Sequence, residues 1–246
     1  MDEQRIHQKV VRLFNEALKR YLLIEDGDRV LIGLSGGKDS MALLQLLGQR
    51  AKVFFPRFSV EAAYVRMTNI PYQSDEEYLK SFAQQYDVPL HIVETSFDES
   101  TDKRHTHCFL CSWQRRKMLF NTAQALGCNK IAFGHHKDDF IQTALMNVTF
   151  QGHFSTMRPT MQMDKFPITL IRPLCLIREN DMQAFAQYHG YRQQIKNCPY
   201  EDASHRYSMK EIITQLEQMN PEFEYSFYRA IEDNWDLPTT NKNSRT

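Results

Sequence analysis

The sequence predicts an α/β fold: a parallel sheet with helices on both faces and helical additions at each end. Two observations predict it. Short apolar runs alternate with stretches of helical length between residues 30 and 189, the pattern of βαβ units. Two of those runs, Val30 to Leu34 and Lys130 to Phe133, end at glycine-containing turns that lead directly into helices. In open α/β sheets, ligands sit outside such strand ends.

Each element follows from local pattern. Residues 3–24 place Ile6, Val10, Leu13, Phe14, Ala17, Leu18 and Tyr21 on one stripe, which predicts an N-terminal helix. Glu25-Asp26-Gly27-Asp28 breaks it. Val30 to Leu34 is a buried strand feeding a tight turn, and Asp39 to Leu47 is a helix. Val60 to Val65 is a strand. Ser74 to Tyr86 is a helix with Ser74 as its N-cap and Glu77 at capping-box spacing. Leu90 to Val93 is a strand, residues 95–110 are polar and irregular, and Ser112 to Leu126 is a helix stopped by Gly127. Lys130 to Phe133 and Asp138 to Phe150 form the next strand and helix. Residues 152–176 read as a hairpin or loop leading into Leu170 to Leu174, followed by a helix from Arg178 to His189. Tyr207 to Gln218 and Pro221 to Ile231 are short helices, and the tail from Asp236 is polar. With no internal repeat or linker, the expected organisation is an N-terminal helix (1–27), a central unit (28–200) and a C-terminal helical extension (201–246).

Composition narrows the classes. Hydrophobic residues at 42% and charged residues at 24% fit a globular chain and exclude a disordered one. No apolar run reaches the roughly 18 residues a membrane span needs, and no signal-like apolar region follows Met1 to Arg5. A cytoplasmic protein with no membrane partner is expected. Lysine plus arginine (30) equals aspartate plus glutamate (30), so any nucleic-acid contact must come from a local patch. The five cysteines, Cys108, Cys111, Cys128, Cys175 and Cys198, are odd in number. In a cytoplasmic chain that argues against a disulfide framework and leaves metal ligation, redox chemistry or burial.

The strongest local signal is Gly33-Leu34-Ser35-Gly36-Gly37-Lys38-Asp39-Ser40, between a strand and a helix. Glycines allow a tight turn and close approach of a ligand. Successive backbone N–H groups and the free donors of the next helix can surround an anion, and Ser35 and Ser40 add hydroxyls. The turn is not a Walker loop, which needs four residues between its glycines and Ser or Thr after its lysine; here Asp39 follows Lys38. An acid beside phosphates suits a Mg²⁺ contact, or a charge at a helix N-terminus. The plainer alternative is a glycine turn capped by Asp39.

Gly134-His135-His136-Lys137-Asp138-Asp139 forms a second cluster at a strand end. Gly134 allows close approach, His135 can hydrogen-bond a phosphate or substrate oxygen, and Asp138 and Asp139 can hold Mg²⁺. First-turn acids and solvated histidines are the alternative. Cys108-Phe109-Leu110-Cys111 is a C-x-x-C pair that suits a redox dithiol, half a zinc site completed by His105 and His107, or part of an iron–sulfur site. Cys198 stands in a separate turn, Asn197-Cys198-Pro199-Tyr200, while Cys128 and Cys175 lie in apolar contexts that suit burial. Lys103, Arg104, Arg115, Arg116 and Lys117 form an acid-free basic run interleaved with Trp113. It suits RNA phosphates with a stacked base, or a solvated helix face with Trp113 in the core. Arg172, after a strand-like run, is either a site arginine or a structural one.

Ser-Gly-Gly-Lys-Asp-Ser resembles the PP-loop of the N-type ATP pyrophosphatases, and Gly-His-His-Lys-Asp-Asp resembles the second motif of their tRNA-modifying members. The order of PP-loop, C-x-x-C with a following arginine-rich helix, second motif and lone downstream cysteine is similar to the tRNA 2-thiocytidine synthetase family, over roughly residues 10–230. The resemblance implies a Rossmann-like (HUP, adenine nucleotide α-hydrolase) sheet. It implies ATP and Mg²⁺ at Ser35, Gly36, Gly37, Lys38, Asp39, Ser40, Gly134, His135, Asp138 and Asp139, with Asp39 catalytic. It also implies a 4Fe-4S cluster on Cys108, Cys111 and Cys198. The implied partners are tRNA, a sulfur donor (a cysteine desulfurase or sulfide) and a second copy of the chain. Pro199-Tyr200-Glu201 after Cys198 is closer to the related 2-thiouridine synthetases, whose flanking zinc-finger cysteines are absent here. Uridine therefore stays open beside cytidine. Two other readings remain: a PP-loop amidotransferase or lysidine-type ligase, which needs no thiolates, and a nucleotide-binding protein with a structural zinc.

Overall fold

A computed structural model describes residues 3–70, 74–97, 107–164, 166–192 and 206–235. Cys198, Lys103 and Arg104, and with them His105, Asn197-Pro199-Tyr200 and the tail from Asp236, lie outside the described residues.

Strands β1 (Arg29–Gly33), β2 (Ser59–Met67), β3 (Leu90–Thr95), β4 (Lys130–Ala132), β5 (Thr160–Gln162) and β6 (Thr169–Ile171) form one sheet in the order β3-β2-β1-β4-β6-β5. All neighbours are parallel except β5, which pairs antiparallel with β6 and makes the 152–176 region a hairpin. Along β1, successive side chains alternate between faces. Val30 and Ile32 join the larger core, with the helices α1 (Glu3–Arg20), α2 (Lys38–Ala51), α5 (Lys137–Gln151) and α6 (Glu179–Tyr188). Leu31 joins a smaller core with Leu119 and Ala123 of α4 (His107–Ala125). The sheet is therefore covered on both faces, which is why β1 is an unbroken apolar run. Chain order turns in opposite directions on either side of β1, and the crevice between the β1 and β4 tips is the topological switch point.

The terminal helices share the larger core. Ile6, Val10 and Phe14 of α1 are buried in it, as are Ile213 of α7 (Arg206–Met219) and Tyr228 and Ile231 of α8 (Phe223–Asp233). Arg20 at the end of α1 pairs with Glu232 of α8 at 2.9 Å. Among the described residues no helix is long and apolar enough to cross a membrane.

Three local expectations are corrected. The first helix ends at Arg20, short of residue 24: Leu22 takes a left-handed φ of 51° and the Leu23 N–H returns to the Leu18 carbonyl at 3.0 Å, a Schellman-type stop. Ser74 is not an N-cap. Asp75 caps α3 (Glu76–Gln85) by accepting the Tyr78 N–H at 3.0 Å, while Ser74 is buried and donates its hydroxyl to the Ser35 carbonyl at 3.2 Å. The helix expected from Ser112 starts at His107. Its early turns are half-exposed, with only Leu119 and Ala123 fully buried, so no apolar stripe marks where it begins.

Candidate active site

The PP-loop is held by serines and by its neighbours. The Leu34 N–H donates to the Ala63 carbonyl of β2 at 2.9 Å, fixing the chain as it leaves β1. Gly36 has φ of 79°, a conformation that glycine adopts without steric cost. The Ser40 hydroxyl donates to the Gly37 carbonyl at 2.9 Å and lies 3.1 Å from the Ser35 hydroxyl. It also accepts the Ser35 N–H at 3.2 Å. Gly37 is the N-cap of α2 and no side chain caps that helix start, so the positive end of the helix is available to an anion. Asp39 Oδ2 lies 3.2 Å from Lys38 Nζ, and Asp39 Oδ1 is buried with no hydrogen-bond partner among the described residues. A buried carboxylate oxygen without a donor is an acceptor waiting for a cation or a ligand.

The second motif meets this loop backbone to backbone. A Cβ on Gly134 would stand 3.0 Å from the Asp39 carbonyl carbon and 3.1 Å from the Ser40 nitrogen. His135 and Asp139 line the same cleft as Ser35, Asp39 and Ser40, a space of about 750 Å³ and of a size that holds a small-molecule ligand. Asp139 Oδ2 also accepts the His136 N–H at 2.9 Å, and His136 is buried, not solvated. Asp138 is not among the cleft-lining residues. Its two oxygens take Arg178 Nε at 2.9 Å and the Glu179 N–H at 2.7 Å, which ties the motif to the start of α6.

α4 forms the facing wall. Ser112, Arg115 and Arg116 line the cleft, and Cys108 sits one helical turn before Ser112, exposed. Cys111 packs with Phe97 against Met67 and Ile70, just beyond the tips of β3 and β2. Both thiols are therefore at the C-terminal edge of the sheet, the edge that carries the PP-loop. They occupy one helical turn, at the i, i+3 spacing that puts side chains on one face. Trp113 is 53% exposed and lies outside the core, with Lys117 Nζ 5.3 Å from its ring centre.

Cys128 and Cys175 are buried, as their apolar contexts suggest. Burial raises the Cys128 thiol and pushes Cys175 up to about 12. Because the thiolate is the reactive form, an alkylating agent is expected to label Cys108 in the folded protein, with Cys128 and Cys175 more than roughly 10²-fold slower until denaturant is added. Peptide mass spectrometry after timed labelling checks this. Sequence reasoning left Arg172 undecided and missed Ser112. The structure puts both on the cleft wall, and the i, i+3, i+4 spacing of Ser112, Arg115 and Arg116 was the available signal.

Comparison with known proteins agrees with this geometry. Residues 3–215 match the model of the PP-loop domain. The tRNA-cytidine(32) 2-sulfurtransferase of Syntrophotalea carbinolica is 33% identical, over 93% of this chain and 90% of that protein. The protein of the same name from Pseudomonas putida is 32% identical, over 95% and 86%. Among solved structures, the U34-tRNA thiolase NcsA from Methanococcus maripaludis, with its [4Fe-4S] cluster, superposes with a TM-score of 0.78 at 27% identity, over 94% of this chain and 79% of that one. The chain belongs to the PP-loop family, in the branch of the tRNA-cytidine(32) 2-sulfurtransferases.

Proposed function

We propose that this chain uses ATP to replace the C2 oxygen of a cytidine in a tRNA anticodon loop with sulfur, and that Ser35–Ser40, Gly134, His135, Asp139, Cys108, Cys111 and Cys198 carry the reaction, with Asp138 tying the second motif to α6. The single observation behind it is the shared edge: the PP-loop, the Gly134 turn and the first turn of α4 all lie at the C-terminal end of the sheet. The names of the curated relatives favour cytidine over uridine.

The PP-loop holds the triphosphate. Backbone N–H groups at the start of α2, the hydroxyls of Ser35 and Ser40 and the Lys38 ammonium face the charge that develops on departing pyrophosphate. The pyrimidine oxygen forms a bond to the α-phosphorus as the bond from that phosphorus to the β-phosphate oxygen breaks. His135, which lines the cleft, hydrogen-bonds that oxygen in this reading. Asp39 fits Mg²⁺ because its buried Oδ1 has no other partner among the described residues, and Mg²⁺ is commonly held by one or two carboxylates and substrate phosphates. Two thiols on one helical turn fit a soft metal centre. Among the described residues no group of three or more His, Cys, Asp or Glu side chains is arranged to hold a metal ion, and Cys198 is the proposed third thiolate. A cluster held by Cys108, Cys111 and Cys198 would supply the sulfur that replaces the adenylated oxygen as AMP leaves. Arg115, Arg116 and Lys117, with Lys103 and Arg104, offer the RNA backbone a basic run. C2 is reachable only in an unstacked base, as in a tRNA loop.

Sulfur arrives from a cysteine desulfurase or as sulfide, the working unit is a homodimer in the cytoplasm, and segments 1–27 and 201–246 flank a catalytic unit of 28–200. The sulfur donor and the homodimer rest on the family resemblance, and the cytoplasmic placement and segment bounds on the sequence pattern. Gly134→Ala is expected to lower ATP-dependent pyrophosphate release by about 10- to 10²-fold, because the new methyl group pushes the two loops apart where positioning matters most. Overpacking of this kind costs about 1–3 kcal/mol in stability. Initial rates and a thermal melt read both effects. The function itself is tested by nucleoside mass spectrometry of tRNA from a strain lacking the protein. Loss of 2-thiocytidine supports the reading, and an unchanged set of thionucleosides contradicts it.

A further inference from the structure

A buried arginine without an acid beside it carries an uncompensated desolvation cost. At Arg178 the fold avoids that cost: Arg178 meets Asp138 at 2.9 Å, Glu217 at 2.7 Å and Glu224 at 3.0 Å. Arg172, which directly follows β6, is treated differently. It is 6% exposed and lines the cleft. Its Nη1 donates to the Arg158 carbonyl at 2.6 Å, and its Nε is buried with no hydrogen-bond partner among the described residues. No carboxylate pairs with it among the described residues. Burial pulls the guanidinium down to about 10, and the nearby charge of Arg116 adds to that fall. Arg116, on the α4 wall, is exposed and also has no acid partner among the described residues.

The cleft that these two arginines share with the PP-loop is also lined by the apolar side chains of Phe120, Phe133, Met161, Met163 and Leu170. Such a surface suits a flat, weakly polar group such as a nucleobase, whereas a polyphosphate belongs with the amides and hydroxyls of the PP-loop. A nucleotide brings both a base for the apolar wall and a phosphate for the cations.

We propose that Arg172, together with Arg116, binds the backbone phosphate of the nucleotide to be modified, and that this phosphate is the missing counter-ion of the buried guanidinium. The proposal rests on the tRNA reading above and deepens it by naming the residues that seat the target nucleotide. It is a binding role, in the same cleft whose PP-loop end holds ATP. Charge-assisted bonds to phosphate are the strong class of hydrogen bond, and Arg presents them as a fork that Lys cannot reproduce.

The test measures tRNA affinity against salt concentration, and separately the affinity for a non-hydrolysable ATP analogue, in the full chain and in Arg172→Gln, Arg172→Lys and Arg116→Gln. Arg172→Gln is expected to weaken tRNA binding by about 10- to 10²-fold and to lower the slope of log affinity against log salt by about one. Arg116→Gln, an exposed substitution that leaves folding intact, lowers the slope by about one as well. Arg172→Lys keeps the slope but loses part of the affinity, and affinity for the ATP analogue changes less than about twofold in all three. A merely structural Arg172 would leave the salt slope unmoved. An unchanged slope in both Gln variants overturns the proposal, as does a loss of ATP-analogue affinity with tRNA binding intact, since the phosphate would then be ATP's. If the unmodified protein fails to bind tRNA at all, the underlying tRNA reading falls instead, so the two failures are distinguishable.

Discussion

Cys108→Ala is expected to abolish 2-thiocytidine formation, a loss of at least roughly 10³-fold, while tRNA-dependent pyrophosphate release continues. The side chain is exposed on the first turn of α4, one turn from the cleft-lining Ser112, and packs into no core. Its removal should therefore leave the fold and the ATP site intact while the anaerobically purified protein loses its iron. The two steps separate because activation of the oxygen belongs to the PP-loop and the sulfur to the thiolates. Cys175→Ala is the control. That thiol is fully buried and accepts no role in the cleft, so this variant should lose some stability, on the order of 1 kcal/mol, and keep its activity. A parallel loss of pyrophosphate release in Cys108→Ala would mean that the thiol acts in ATP activation instead. Full thiolation in that variant would point to an amine-using PP-loop enzyme.

Asp39→Asn carries the second large effect, on the other half of the reaction. The substitution keeps the shape and removes the charge of a carboxylate whose Oδ1 is buried and has no donor among the described residues. Loss of one such electrostatic contact in an active site typically costs about 10²–10³-fold, and the fall should appear in pyrophosphate release as well as in thiolation. Higher Mg²⁺ should recover part of the rate. Asp138→Asn offers a contrast from the same motif region. Its bonds run to Arg178 and the Glu179 N–H, so it is expected to lower stability by about 1–3 kcal/mol, read as a drop in melting temperature larger than that of Asp39→Asn.

Much of this site was visible in the residues because its chemistry is local. Strand, glycine turn and helix are consecutive in Val30 to Leu47 and again in Lys130 to Phe150, and each motif sits where a parallel sheet must put it. The features that escaped depend on contacts distant in sequence. Ser74 has the look of a helix cap, yet its hydroxyl is used 39 residues away, on the Ser35 carbonyl; tertiary contact outweighed the local capping signal. The start of α4 was hidden because its first turns pack only one residue, Cys111, against Met67 and Ile70, too little to print a helical period. Arg172 looked ambiguous because an arginine after a strand is ordinary. What distinguishes it is the absence of any acid around a buried guanidinium, among the described residues, and only the packed fold reveals that.

The most direct measurement is a single-turnover reaction under anaerobic conditions. Iron- and sulfide-reconstituted protein is mixed with tRNA and Mg-ATP, and pyrophosphate and 2-thiocytidine are quantified in the same sample. One pyrophosphate released for each 2-thiocytidine formed, with both lost when ATP is withheld, is the result expected if the nucleotide loop and the thiolates serve one base. Pyrophosphate released without any thionucleoside, from protein carrying zinc in place of iron, would contradict the account.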